Sequence, residues 1–554
     1  MIPGYHGAYL RVDLSTGESR PVAIPRDVLA RYIGGVGLGT WICFNEGGPA
    51  HDPLAPEAPL ILCLSPLVGT PLTTSAKFAV VARSPLTGYL CDAISSSHFA
   101  IAAKRAGYDA YAIVGRAKEL SRLVVDDGRA TVREEGGLRG RPAAECGLDG
   151  YRTAAIGPAG ERLVRYAMIS NDGRHAGRGG LGAVMGAKNL KAFSVRGTKR
   201  VEVADPKGVV AEARRLSELS FGPATAKYRE LGTIANVLAF NRLNTLPARN
   251  FRDSSFEGAP EISAEALHAM DRVGRESCAA CTIGCEHIFR APGGEGVRLE
   301  YESVFALGPL LGIPDRAAMI EAARLCDLFG LDTISLGGTL ACWMDAGRMR
   351  FGDAAAVLDT IGRIARREGD GDLLAEGSRH VAERLSRPDL AMHVKGLEIP
   401  GYDPRALPAM ALGFAVGTRG ADHNRSSAYE LDFSTEAFDV RRVVEHENRA
   451  AAMDSLILCK FLRGVFADFA REGATLLRLV TGLDVDLLAS GALICDLRKS
   501  FNVACGWRRE EDTLPERLLT GKLSRGKLDA MIADYYRARG WSAEGLPVAA
   551  APSP

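Results

Sequence analysis

The chain has 554 residues, too many for one ordinary domain, so two or three domains are expected, each able to bury its own core. Its 68 Lys and Arg balance 67 Asp and Glu, which leaves no global field for a polyanion and makes nucleic acid or a membrane surface a poor partner. The opening MIPGYHGAYLRVDL has neither a basic region nor an apolar run, and no segment nears the roughly 18 apolar residues of a spanning helix, so a cytoplasmic protein is expected.

Up to about Val203 the predicted elements are mainly strands: AYLRVDL, APLILCLSPL, KFAVVARSPL, YDAYAIVGRA and LVVDDGRATV, each bounded by Gly, Pro or Asp. From about Asp205 the apolar residues take helical spacing, as in PKGVVAEARRLSELS, RAAMIEAARLCDLFG and the long run from FDVRRVV to LLRLV. EIPGYDPRALP, around Gly401, divides the helical part. The expected class is therefore α+β: a β-rich domain over 1–204, a helical domain over 205–400, a second over 401–545, and a disordered tail over 546–554. No repeat of fixed period is found.

Cys278, Cys281 and Cys285 form C-x2-C-x3-C, a spacing that brings three thiolates to one metal centre from a tight turn and the start of a helix. A complete site needs a fourth ligand, for which Cys326, Cys342, Cys459, Cys495 and Cys505 are candidates. A structural zinc is the competing reading. No second C-x2-C pair exists, however, and His287 follows Cys285 too closely for a zinc-finger partner, which favours iron and sulfur. Twelve scattered cysteines fit a reducing compartment better than a disulfide framework. In AGRGGLGAVMG, glycines 177, 179, 180 and 182 let the backbone approach phosphates and Arg178 adds a forked cation, although a plain glycine-rich turn before a helix reads the same way.

From about Tyr9 to about Leu519 the sequence resembles the aldehyde ferredoxin oxidoreductase family, most specifically in AGRGGLGAVMGAKNLKA, and also in KFAVVARSPLTG, AGYDAYAIVGRA, CDLFGLDTIS, YDPRA, TRGADHNR and EDTLPERLL. The resemblance implies a β-rich base domain under the cofactor, two helical domains closing over it, and a tungsten or molybdenum bis-pterin beside a [4Fe-4S] cluster. Arg178, Gly179, Gly180, Leu181 and Gly182 would hold the pterin phosphates, with the Ala183 carbonyl on a bridging magnesium. Two D-x-x-G-L-(D/C) motifs would bind the pterin rings, one through Asp327, Leu331 and Asp332, the other through Asp454, Leu458 and Cys459, with Ile457 in place of the glycine and Cys459 as fourth cluster ligand. Glu302, with Glu300 as the competing register, and His423 would be the acid–base pair.

The implied reaction is oxidation of an aldehyde with water to a carboxylic acid, or its reverse, with electrons passing to ferredoxin or a small iron–sulfur subunit; a homodimer is also compatible. Departures from the family pattern are Lys77 for an arginine at the cofactor, Ser96 and Ser97 for a glycine pair, and Ala504 and Cys505 near the end. Two alternatives remain: a benzoyl-CoA-reductase-type catalytic subunit, and a non-catalytic binding protein stabilised by a metal.

Overall fold

In the computed structural model residues 2–548 are described, except Glu436; the expected tail therefore lies, from residue 549 on, outside the described residues. Twelve strands fill the first part of the chain: β1 Ala8–Asp13, β2 Ser19–Ala23, β3 Leu60–Cys63, β4 Lys77–Arg83, β5 Leu90–Ser96, β6 Ala110–Val114, β7 Ser121–Asp126, β8 Arg129–Glu134, β9 Arg152–Ile156, β10 Ile169–Asn171, β11 Arg174–Ala176 and β12 Leu190–Arg196. They form two six-stranded sheets, in the orders β2-β1-β6-β3-β4-β5 and β11-β10-β9-β12-β7-β8. Only β1 with β6 and β7 with β12 run parallel.

Successive side chains of a strand point to opposite faces, and in the inner strands β3, β4 and β6 both faces are buried. In β4, Phe78, Val80 and Ala82 enter the core shared with the second sheet, while Ala79 and Val81 pack under the helix Gly35–Asn45. β3 and β6 divide their residues in the same way. A run of tilted and edge-on rings joins the sheets: Phe78 to Phe99 at 4.9 Å, Phe99 to Phe193 at 5.3 Å and Phe193 to Tyr111 at 5.2 Å. Each such side chain stabilises the fold by about 1.5–3 kcal/mol.

Beyond β12 the structure is mainly helical, with one exception that sequence periodicity missed. β13 Arg272–Glu276, β14 Glu286–Arg290 and β15 Gly296–Leu299 form a small antiparallel sheet. The three cysteines sit in the loop between β13 and β14, not at a helix start as expected, because RVGRE and EHIFR pair as a hairpin around them. The long run from FDVRRVV is two helices, Val440–Leu456 and Phe469–Thr481, separated by the loop that carries Cys459. Among the described residues no helix is long and apolar enough to cross a membrane.

Candidate active site

A cavity of about 410 Å³ lies where β5, the glycine-rich loop and the helical part meet; Lys77, Arg178, Glu302, His423, Asp454 and Cys459 are on its wall. A second cavity, of about 800 Å³, is bordered by Ser170, Asn171, Asp327 and Leu328. His175 borders both.

Glu302 is held in the first turn of the helix Tyr301–Leu307, and the Gly401 backbone N–H donates to its Oε2 at 3.0 Å. Its Oε1 lies 3.6 Å from His423 Nδ1, and neither atom has a hydrogen-bond partner among the described residues. Burial pushes Glu302 up to about 8 and His423 down to about 4, so at neutral pH both are mainly uncharged. Asn424 Nδ2 donates to His423 Nε2 at 3.0 Å, which leaves the ring hydrogen on Nδ1, facing Glu302. His423 also stacks on Tyr402, with centroids 5.0 Å apart. Glu300, the competing register, accepts instead from Thr233 Oγ1 at 2.6 Å.

Asp422 caps the short helix His423–Ser426, accepting from the N–H groups of Asn424 and Arg425, and so aims both His423 and Arg425. It also pairs with Arg419, while Arg425 pairs with Asp92 of β5 and with Asp454. Together with Arg498 these make a buried belt of charge. Arg178 Nη1, the Nε atoms of Arg178, Arg419, Arg425 and Arg498, and Ser95 Oγ have no hydrogen-bond partner among the described residues. An unmet buried polar atom costs about 1–3 kcal/mol, so a concentration of unmet guanidinium donors fits a large anionic guest.

The structure also separates the expected cofactor residues. Gly177 and Arg178 border the central cavity, whereas Gly179, Gly180, Leu181, Gly182 and Ala183 are buried and on neither wall. Gly179 and Gly180 are required by the protein's own packing: at φ 81° and 74°, a Cβ would strike Cys91 Sγ and the Arg165 carbonyl. Arg178 Nη2 donates to the Glu398 carbonyl and its Nε lies 3.5 Å from Asp332, which caps the helix Thr333–Asp345. Asp327 pairs with His175 at 3.1 Å, in the outer cavity. Asp454 and Leu458 border the central one; Leu331 is buried and borders neither.

Cys278, Cys281, Cys285 and Cys459 are all half-buried, whereas Cys326, Cys342 and Cys495 are buried among apolar side chains. Cys278 and Cys281 are hydrogen-bonded, which draws the first thiol down and pushes the second up. Burial works against the charge of Lys77, yet Cys459, Cys278 and Cys281 outweigh it and raise its pKa; Lys77 shares the cavity wall with Cys459. Among the described residues no three metal-ligating side chains close on a single ion. Thr73 and Thr74 join the quartet's two halves: Thr73 Oγ1 is 2.7 Å from Thr282 Oγ1, the Thr74 N–H donates to the Ala280 carbonyl, and the Cys459 N–H donates to Thr74 Oγ1 at 3.2 Å.

Sequence reasoning found His423 in TRGADHNR but not Arg419, Asp422 and Arg425 of the same motif, whose charges in a buried stretch were the available signal. Asp92, in LCDAISS, was detectable only as a carboxylate in an apolar strand run.

Models of the aldehyde ferredoxin oxidoreductase N-terminal domain and of its domains 2 and 3 match residues 9–197 and 210–551. The chain is 37% identical to a tungsten-containing aldehyde ferredoxin oxidoreductase of Pyrococcus furiosus, over 98% of this chain and 97% of that protein. Identity to the enzyme of the same description from Thermococcus kodakarensis is 36%, with the same coverage. An aliphatic sulfonate oxidoreductase, WOR-like subunit, of Pyrococcus furiosus is 27% identical over 98% of this chain and 95% of its own. A solved structure, the active-site complex BamBC of benzoyl coenzyme A reductase with 1,5-dienoyl-CoA, has the same fold: TM-score 0.85 at 22% identity, over 99% of this chain and 96% of that one.

Proposed function

The chain belongs to the aldehyde ferredoxin oxidoreductase family, and from that membership and the cavity's geometry we propose that it is a tungsten (or molybdenum) bis-pterin enzyme oxidising an aldehyde with water to a carboxylic acid. The observation that carries the reading is the Glu302–His423 pair, two unmet polar atoms 3.6 Å apart beside a wall of unmet guanidinium groups. When bound, the metal pterin supplies the two-electron redox chemistry and the iron–sulfur cluster a one-electron outlet. Arg178, Arg419 and Arg425 would hold the anionic parts of the cofactor, and Asp327 and Asp454 one pterin end each; Ala183, buried off both walls, does not fit the magnesium role. Cys278, Cys281, Cys285 and Cys459 would hold a [4Fe-4S] cluster, with Lys77 on the cavity wall it shares with Cys459. The electron acceptor is ferredoxin or a small iron–sulfur subunit.

The chain's own residues then do three things. The Nδ1–H of His423 donates to the aldehyde oxygen and orients the carbonyl. Glu302 Oε1, in its carboxylate form, takes the proton of the attacking water or of the hydrate. Tyr402, stacked on the imidazole, fixes its plane and keeps bulk water off one face.

The decisive experiment compares wild type with Glu302→Gln after anaerobic purification, counting metals and following aldehyde oxidation with a viologen. Unchanged tungsten and iron with a rate about 10²- to 10⁴-fold lower is expected. Because Glu302 titrates near 8, wild-type kcat/KM should rise with pH towards a plateau above about 8, and the variant should lack that limb. Equal rates for the two proteins, or zinc as the only bound metal, would sink the reading.

A further inference from the structure

The cavity has a third wall that the acid–base pair and the arginine belt do not use. Past Cys459 the short turn Lys460–Leu462 brings Arg463 to the cavity beside Tyr228, Tyr402, Tyr429 and Phe461. Arg463 Nε lies 2.8 Å from Glu430 Oε1, but Arg449 shares that carboxylate, so two guanidinium groups face one anion. Arg463 Nη1 is buried and has no hydrogen-bond partner among the described residues.

The path from this cation to the reacting pair is continuous and aromatic. The Arg463 guanidinium stands 5.2 Å from the Tyr429 ring centre, Tyr429 stacks on Tyr402 at 5.3 Å, and Tyr402 stacks on His423 at 5.0 Å. Arg463, Tyr402 and His423 line the same cavity. Unlike Arg419 and Arg425, whose partners are Asp92, Asp422 and Asp454, Arg463 has Glu430 as its carboxylate and stands apart from the buried belt.

A desolvated guanidinium with an unmet N–H is matched by an oxyanion, which accepts charge-assisted hydrogen bonds. Resting on the aldehyde reading, we propose that Arg463 anchors an oxyanion at the far end of the substrate, so that the preferred substrates are short aldehydes ending in a carboxylate or sulfonate. Tyr402 and Tyr429 flank the methylenes between the two ends. The reaction stays balanced as before: the aldehyde and one water give a carboxylate, three protons and two electrons, the electrons leaving to a one-electron carrier.

Three probes at one concentration range test this: succinic semialdehyde, 3-oxopropanesulfonate and the neutral pentanal, each oxidised by the metal-loaded enzyme with a viologen. Wild type should favour the anionic aldehydes over pentanal by about 10- to 100-fold in kcat/KM, mostly through KM. Whichever of the two anionic aldehydes is preferred identifies the end group. In Arg463→Gln the anionic-to-neutral ratio should fall towards one, and Arg463→Lys, which keeps the charge against Glu430, should retain part of it. Calorimetric titration with succinate and with pentanoate gives a readout independent of turnover, with succinate binding expected to weaken by a similar factor in Arg463→Gln. No anionic preference in wild type, or the same preference in both variants, overturns the proposal. Succinate binding lost in Arg463→Gln, in an enzyme that oxidises no aldehyde, would keep the anion site and overturn the aldehyde reading instead.

Discussion

Segments 327–332 and 454–459 both leave a helix through one residue in the left-handed conformation, Gly330 at φ 81° and Ile457 at φ 62°. What each faces differs. A Cβ on Gly330 would come within 3.1 Å of the Gly157 nitrogen, so the turn packs backbone on backbone. At the second turn the small residue is on the other partner: a Cβ on Gly35 would lie 2.6 Å from Ile457 Cγ1 and closer still to the Asp454 carbonyl. The helix ending dictates the backbone shape, and the facing segment dictates which partner carries the side chain. Left-handed geometry costs Ile457 about 1–2 kcal/mol, which burial of its side chain, at about 1.5–3 kcal/mol, offsets. Charge differs too: the Asp454 side chain is 2% exposed and paired with Arg425 and Lys460, while Asp327 is 42% exposed and paired only with His175.

The largest contrast should come from the last residue of each motif. Cys459→Ser is expected to take bound iron from about four per chain to near none, whereas Asp332→Ala, which removes a helix cap worth about 1 kcal/mol, should keep it. Iron content and the cluster's low-temperature spectrum measure both; full iron in the serine variant would remove Cys459 from the ligand set. Next come the aspartates. Asp454→Asn strands two buried cations and should destabilise by about 3–5 kcal/mol, against under about 1 kcal/mol for Asp327→Asn, read from urea unfolding. Equal losses would mean that burial is not what separates the motifs. Smallest is Ile457→Gly, which relieves the strained turn but empties a buried site. Losing a large core side chain costs about 2–5 kcal/mol, so net destabilisation of about 1–3 kcal/mol is expected, and a higher melting temperature would show strain to be the larger effect.

The β-rich first part and the helical second part were legible because they rest on local periodicity, whereas Glu302 and His423 were singled out only through the family resemblance. The hairpin around the cysteines was not legible, since RVGRE and EHIFR are short and charged, the first largely exposed and the second largely buried, and their pairing is a contact between segments. Ile457 was visible as a substitution, but its left-handed backbone and its exchange of roles with Gly35 depend on a helix more than 400 residues earlier. Asp92 carries only the weak signal of a carboxylate in an apolar strand run, and Arg498, in a helix with other charged residues, carries none. Each acquires meaning only through its partner on another element, Asp92 of β5 facing Arg425 and Arg498.

Thr74 is a β-branched residue at φ 63°, a conformation that costs about 1–3 kcal/mol and persists only where the surroundings impose it. With Thr73 it bridges chain positions separated by 209 and 385 residues. Contacts that distant form late compared with local ones. During synthesis the cysteine loop therefore leaves the ribosome long before Cys459 can reach it, and the quartet first exists when the chain is nearly complete. Loading of the proposed cluster would then be a finishing step on an already folded acceptor, timed by two threonines outside the ligand set.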